Sequence, residues 1–243
     1  MPTRENASGE TPTDMLEQLK EDVFRANLNL VRYGLVTLTW GNVSGISDDR
    51  ELVVIKPSGV GYDRMQPEQM VVVDLEGNVV EGELRPSSDT PSHVLLYQHF
   101  DRIGGITHTH SSQATMFAQA RVEIPCFGTT HADHFYGPVP VTRPLTQQEV
   151  ETAYEANTGR VIVERFARLD PVEMPAALVA GHAPFTWGKD AADSVKNAVA
   201  LEAVAAMALG TMRLRDDAPP LESHVLDKHY QRKHGPNAYY GQE

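Results

Sequence analysis

From Thr13 to about Val31 the apolar positions Met15, Leu16, Leu19, Val23, Leu28 and Val31 recur at helical spacing, which predicts a helix with one buried stripe. Thr13 or Asp14 can cap it, because a short polar side chain ahead of the stripe accepts a first-turn N–H. The period then changes. LVTLTW at 35–40, LVVIK at 52–56, MVVVDL at 70–75 and NVVEG at 78–82 are short and rich in Val, and Gly, Asp and Pro separate them. They predict a meander of strands. Thr90-Pro91 predicts a helix start, a hydroxyl cap with proline at the first helical position. GGITHTH at 104–110 reads as a strand leading into the helix SSQATMFAQA, and Thr146 with Glu149 forms a capping box for a helix over 150–169. AALVAG at 176–181 reads as a buried strand, and 190–214 as a long, alanine-rich helix.

Strands gathered first and alternating with helices later predict an α/β protein with a mixed central β-sheet sandwiched between helix layers. There is no internal repeat, low-complexity segment or linker. The expectation is one domain over 14–243, preceded by a disordered polar tail at 1–13.

Composition narrows the class. A chain of 243 residues, 41% hydrophobic, can fill one core of ordinary size. No uninterrupted 18-residue apolar run is present, which argues against a membrane span. The opening MPTRENASGETPTD lacks the apolar stretch of a signal peptide. Cys126 is the single cysteine and cannot form an internal disulfide, which fits a reducing cytoplasm. The net charge of −12 is spread along the chain and argues against nucleic acid or an anionic membrane as partner. An anionic substrate would need a local site built from backbone N–H groups, a metal and a few cations.

Ten histidines, most of them in HTH, HADH and HVLDKHYQRKH, direct the search to a metal. His108 and His110 stand two apart in the expected strand, so both side chains leave on one face, as two ligands of one ion would. Random placement alone gives an H-x-H in roughly 0.4 of chains with this composition, so the pair needs support. His182, at the end of AALVAG, supplies it, because α/β sites gather at strand ends. Asp89 in PSSDTP offers an oxygen ligand, although Asp ahead of a helix more often serves the helix dipole. Three imidazoles and a carboxylate suit zinc. Two turns, KPSG at 56–59 and PSS at 86–88, offer hydroxyls and backbone N–H groups to an anion, and Asn42 could join them. Asp133 lies in the polar stretch GTTHADHFYG, where a solvated loop carboxylate is the plain reading. The tyrosines of the terminal YYGQE could dock, or close a site.

TLTWGNVS, KPSGV, PSSDTPSH, GGITHTHS, GTTHADHFYG, FTWGK and LDKHYQRKHGPNAYYGQ together resemble the L-ribulose-5-phosphate 4-epimerases of the class II aldolase family, over about residues 15–242. The resemblance implies the class II aldolase-like fold and one zinc per subunit, held by Asp89, His108, His110 and His182. It implies phosphate received by Asn42, Ser58, Gly59, Ser87 and Ser88 with Lys56 close by, an acid/base pair of Asp133 and Tyr240, and His229 as a helper near the substrate. It further implies a C4 homotetramer with sites at subunit interfaces, so that Tyr240 serves a neighbouring chain. The implied reaction is zinc-dependent epimerisation of a sugar phosphate by cleavage and re-formation of a carbon–carbon bond. A sugar-phosphate aldolase of the fuculose or rhamnulose type is the first rival; fuculose-phosphate-type aldolases carry Glu where Asp89 stands and lack this C-terminal tail. A non-catalytic adducin-like head is the second, and would lack the metal ligands.

Overall fold

The computed structural model describes residues 11–240; residues 1–10 of the expected tail, and the last three residues, lie outside them. The chain runs α1 (Pro12–Arg32), β1 (Asn42–Ile46), β2 (Leu52–Ile55), β3 (Val71–Asp74), β4 (Val79–Glu81), α2 (Thr90–His99), β5 (Gly105–His108), α3 (Ser112–Ala120), α4 (Thr129–Ala132), α5 (Gln147–Arg165), β6 (Ala176–Leu178), β7 (Pro184–Gly188), α6 (Ala191–Leu214) and α7 (Ser223–His234). The strands form one seven-stranded sheet in the order β4-β3-β2-β1-β5-β7-β6.

Side chains alternate across a strand, and here both faces are buried. Val53, Val71 and Val73 point into a core shared with Leu96 of α2, Phe117 of α3 and Ile162 of α5. Val43, Val54 and Val72 point the other way, against Val23 and Leu30 of α1 and Val195 of α6. That is why strands such as Val71–Asp74 read as continuous apolar runs: helices cover each face. The α/β class with a sheet between helix layers is as the sequence implies. The strand sense is more uniform than "mixed". All six ladders are antiparallel, and the parallel contact among the described residues is the isolated bridge Val141–Leu178.

Several element boundaries differ from the sequence reading. The cap of α1 is Thr11, paired with Asp14 in a capping box, and Thr13 already lies in the helix. Residues 35–40 are not a strand: the Trp40 N–H donates to Thr37 O, Leu38 has φ 55° and Gly41 φ +77°, so the chain turns twice there. The strand is the following segment, NVSGI, whose polar and glycine residues resemble a turn. Gly45 is needed in it because a Cβ would lie 2.9 Å from Leu19 and 3.0 Å from Val23 of α1. β6 ends at Leu178, and β7 and α7 went unread. α5 starts under the expected Thr146–Glu149 box, ends at Arg165, and is broken at Ala153 (φ −163°, ψ 70°). α6 is long and apolar enough by composition to cross a membrane, which the search for an uninterrupted run overlooked. Its buried positions Ala191, Val195, Ala198, Leu201, Val204 and Ala208 form the stripe of a core helix packed on the sheet.

Candidate metal centre and its neighbouring clusters

β5 delivers His108 at its last residue, with only 1% of its surface exposed. Its Nδ1 lies 3.0 Å from the Pro184 carbonyl at the start of β7. A carbonyl only accepts, so Nδ1 carries the proton and the Nε2 lone pair is free. His110 lies two residues past the strand end, and His182 sits in the turn between β6 and β7. Their rings are 5.0, 4.9 and 5.1 Å from one another, and potential ligand atoms of all three lie within 4.8 Å of each other. Burial pulls all three below the ordinary histidine range, His182 to about 4 with further help from the other two imidazoles. They are therefore neutral at pH 7, the form that ligates metal. Three neutral imidazoles converging on one point, one with its tautomer fixed, fit a divalent transition-metal ion.

Asp89 occupies the N-cap position of α2 but makes no capping hydrogen bond. Its Oδ2 accepts from Asn42 Nδ2 at 2.7 Å. Burial opposes its ionisation, yet His108, His93, the Asn42 bond and His182 together hold its carboxyl below the usual carboxylate range. It borders the same cleft of about 460 Å³ as the three histidines, but its carboxylate is not among the ligand atoms that converge within 4.8 Å there.

Both small-residue turns border that cleft. They are laced together: Ser58 N–H donates to Arg85 O at 2.9 Å, and Ser87 N–H to Lys56 O at 3.0 Å. Two of the N–H groups expected to meet an anion are thus spent. Among the described residues the N–H groups of Gly59 and Ser88 have no protein partner, and the Ser58 hydroxyl lies on the cleft. Asn42 is also committed, donating to Ser87 Oγ at 3.1 Å as well as to Asp89, while its Oδ1 is buried without a partner. It therefore joins the 86–88 turn to Asp89. Lys56 is buried and donates to Val60 O at 2.9 Å, and desolvation lowers its pKa.

Asp133, His229 and Tyr240 lie elsewhere: none borders the cleft. They gather at α7, where the two later histidine clusters meet. Arg232 clamps Asp133 through two bonds of 3.1 and 2.8 Å, and His229 Nδ1 adds a third at 3.1 Å. Burial would raise the Asp133 pKa, but Arg232, His229 and Lys233 hold it low. The Arg232 guanidinium also lies 4.5 Å from the ring centre of Tyr240, which is 55% exposed. Sequence reasoning missed Arg232, along with Trp40, Tyr154 and Glu155 on the cleft itself. The last two reach the cleft because α5 breaks just before them, and no residue pattern announced that break.

A seven-stranded antiparallel sheet between helix layers, with a histidine triad at the β5 and β7 ends, matches a known family. Its pattern, described as Class II Aldolase and Adducin N-terminal domain, matches residues 21–209, and the chain belongs to that family. Among named relatives, the chain is 54% identical over 228 residues to the L-ribulose-5-phosphate 4-epimerase UlaF of Salmonella paratyphi A (strain ATCC 9150 / SARB42), covering 94% of this chain and 100% of that one. The same figures hold for the protein of that name from Salmonella typhi. Of solved structures, an L-fuculose 1-phosphate aldolase superposes with TM-score 0.75 at 25% identity, over 88% of this chain and 95% of the other. The L-fuculose-1-phosphate aldolase from Thermus thermophilus shares the fold with TM-score 0.64 at 22% identity, over 84% and 97%.

Proposed function

We propose that this protein is a zinc-dependent isomerase interconverting L-ribulose 5-phosphate and D-xylulose 5-phosphate in the cytoplasm. What carries the reading is whole-length identity of 54% to epimerases of that name, in a chain whose His108, His110 and His182 converge on one point. Asp89 is the fourth ligand. Ser58, Gly59, Ser87 and Ser88 receive the phosphate, and Asn42 keeps that end in register with Asp89.

Inversion at C4 proceeds by breaking and remaking a carbon–carbon bond. A base takes the C4 hydroxyl proton, C4 becomes an aldehyde, and the C3–C4 electron pair passes into an enediolate over C2 and C3. Bound zinc supplies the positive charge that steadies the enediolate as it forms. The two-carbon aldehyde phosphate turns and is attacked on its other face, so a proton-transfer group is needed on each face. Asp133 and Tyr240 are those groups, with His229 beside them. Because they lie outside the cleft of their own chain, they serve the cleft of a neighbour in a C4 tetramer.

The rival reading is an aldolase that releases its aldehyde, favoured by the fold similarity to L-fuculose 1-phosphate aldolase. Metal-loaded protein is to be given L-ribulose 5-phosphate and, separately, L-fuculose 1-phosphate. Conversion of the first to D-xylulose 5-phosphate, without cleavage of the second, is expected. Cleavage of the second with no epimerisation of the first would replace this reading with the aldolase.

A further inference from the structure

Trp40 is out of place in its surroundings. The cleft is otherwise lined mainly by hydroxyls, an amide, carboxylates and imidazoles, yet this indole stands on its rim 51% exposed. At the rim of a polar cleft, a half-exposed indole offers a flat apolar face to whatever enters. Among the described residues its ring neighbour is His110 of the triad, 6.1 Å away and tilted by 50°, and its indole N–H has no hydrogen-bond partner.

The backbone beneath holds the indole there. The buried Tyr62 hydroxyl lies 2.9 Å from the carbonyls of both Trp40 and Gly41. Gly41 has φ +77°, and a Cβ on it would lie 2.9 Å from His108 O, so the turn is pressed onto the end of β5. Leu38, a non-glycine residue at φ 55°, stores strain in the same turn. Two residues beyond Trp40, Asn42 bonds both Ser87 and Asp89, so the indole flanks the span from the phosphate turns to the metal ligands. Tyr154 stands 6.0 Å from His182, giving the triad a second aromatic neighbour.

A pentulose phosphate laid between those ends presents polar oxygens to both and a C–H surface between them, at the C3–C4 bond. An indole face suits that surface; the other aromatic ring bordering the cleft besides the imidazoles, Tyr154, lies beside His182. We propose that Trp40 is a specificity-determining residue whose indole covers the reacting carbons and retains the two-carbon aldehyde phosphate until the enediolate attacks it again. This rests on the epimerase reading. When the C3–C4 pair passes into the enediolate, the aldehyde is held by no covalent bond, so a wall of this kind separates an epimerase from an aldolase.

The test uses metal-loaded Trp40→Ala and Trp40→Phe with L-ribulose 5-phosphate. It measures free glycolaldehyde phosphate trapped per D-xylulose 5-phosphate formed, together with tryptophan emission. Trp40→Ala should raise the leak ratio about tenfold or more, and Trp40→Phe should stay within about threefold of wild type, as expected when an apolar wall and not a hydrogen bond does the retaining. The chain has two tryptophans and Trp187 is fully buried, so substrate should shift wild-type emission and leave that of Trp40→Phe unchanged. If wild type epimerises while the Ala variant leaks no more than wild type, or if emission follows protein dilution and ignores substrate, Trp40 is an assembly contact and the proposal is overturned. Absence of epimerisation by the wild type overturns the epimerase reading, and this proposal with it.

Discussion

The bond from His108 Nδ1 to the Pro184 carbonyl does at the scale of one residue what the whole centre requires: it fixes which nitrogen can ligate. His110 has no such tether and projects from beyond the strand. His110→Asn should leave the fold intact and lower both metal content and activity, by metal analysis and assay of one preparation. Full activity in a metal-free sample would contradict the centre. Ser87 and Asn42 should separate in kinetics. Ser87→Ala should raise KM for the sugar phosphate with little change in kcat, as for a contact shared by ground and transition states. Asn42→Ala also frees Asp89, so it should lower kcat as well as raise KM. Buried histidines, those outside the triad included, make the metal-free protein less stable in acid. Burial lowers His93 to about 3, and His131 and His134 to about 4, from the 6.5 of the unfolded chain. Between those values the unfolded state binds more protons, so stability should be full above pH 6.5 and fall as pH drops toward 4. A flat or rising Tm over that range would contradict the burial argument.

At the scale of elements, α1, α2, α3, α5, α6 and the Val-rich strands were legible because period and capping are local properties. The Thr146–Glu149 box marked the start of α5 correctly. β1 was not legible, since Asn42, Ser44 and Gly45 are turn formers until α1 is packed against them. The break at Ala153 was not legible either. It is held by the Ser92 hydroxyl on the Glu155 carbonyl, a contact distant in sequence, and by Asn157 Nδ2 on Glu149 O at 2.9 Å, which spans the break within α5. The metal triad could be read because its spacing and its family pattern agree, whereas Trp40 and Tyr154 carry no spacing signal. The glycines before His108 have a similar tertiary cause: a Cβ on Gly105 would lie 2.3 Å from Asp190 backbone atoms at the start of α6. Gly105→Ala should therefore destabilise by about 1–3 kcal/mol, seen as a lower urea midpoint with unchanged slope. An unchanged midpoint would mean that α6 can move away from β5 at no cost.

In the whole molecule, the cleft and the α7 cluster are two halves of one proposed site, carried on different chains. Asp133 and Tyr240 both contact Arg232 within one protomer, so they travel together. Mixed tetramers of His110→Asn and Tyr240→Phe chains should regain activity in roughly a quarter of their sites, whereas mixing Asp133→Asn with Tyr240→Phe should restore none. Equal inactivity of both mixtures, with subunit exchange confirmed, would place the halves in a single chain or leave Tyr240 structural. The central claim, inversion of C4 through the C3–C4 bond, has a more direct test. Metal-loaded protein is incubated with L-ribulose 5-phosphate in D2O, and the D-xylulose 5-phosphate formed is examined by NMR. Because no C–H bond at C3 or C4 breaks, the expected product carries no deuterium at either carbon; deuterium at C4, or no D-xylulose 5-phosphate at all, would contradict it.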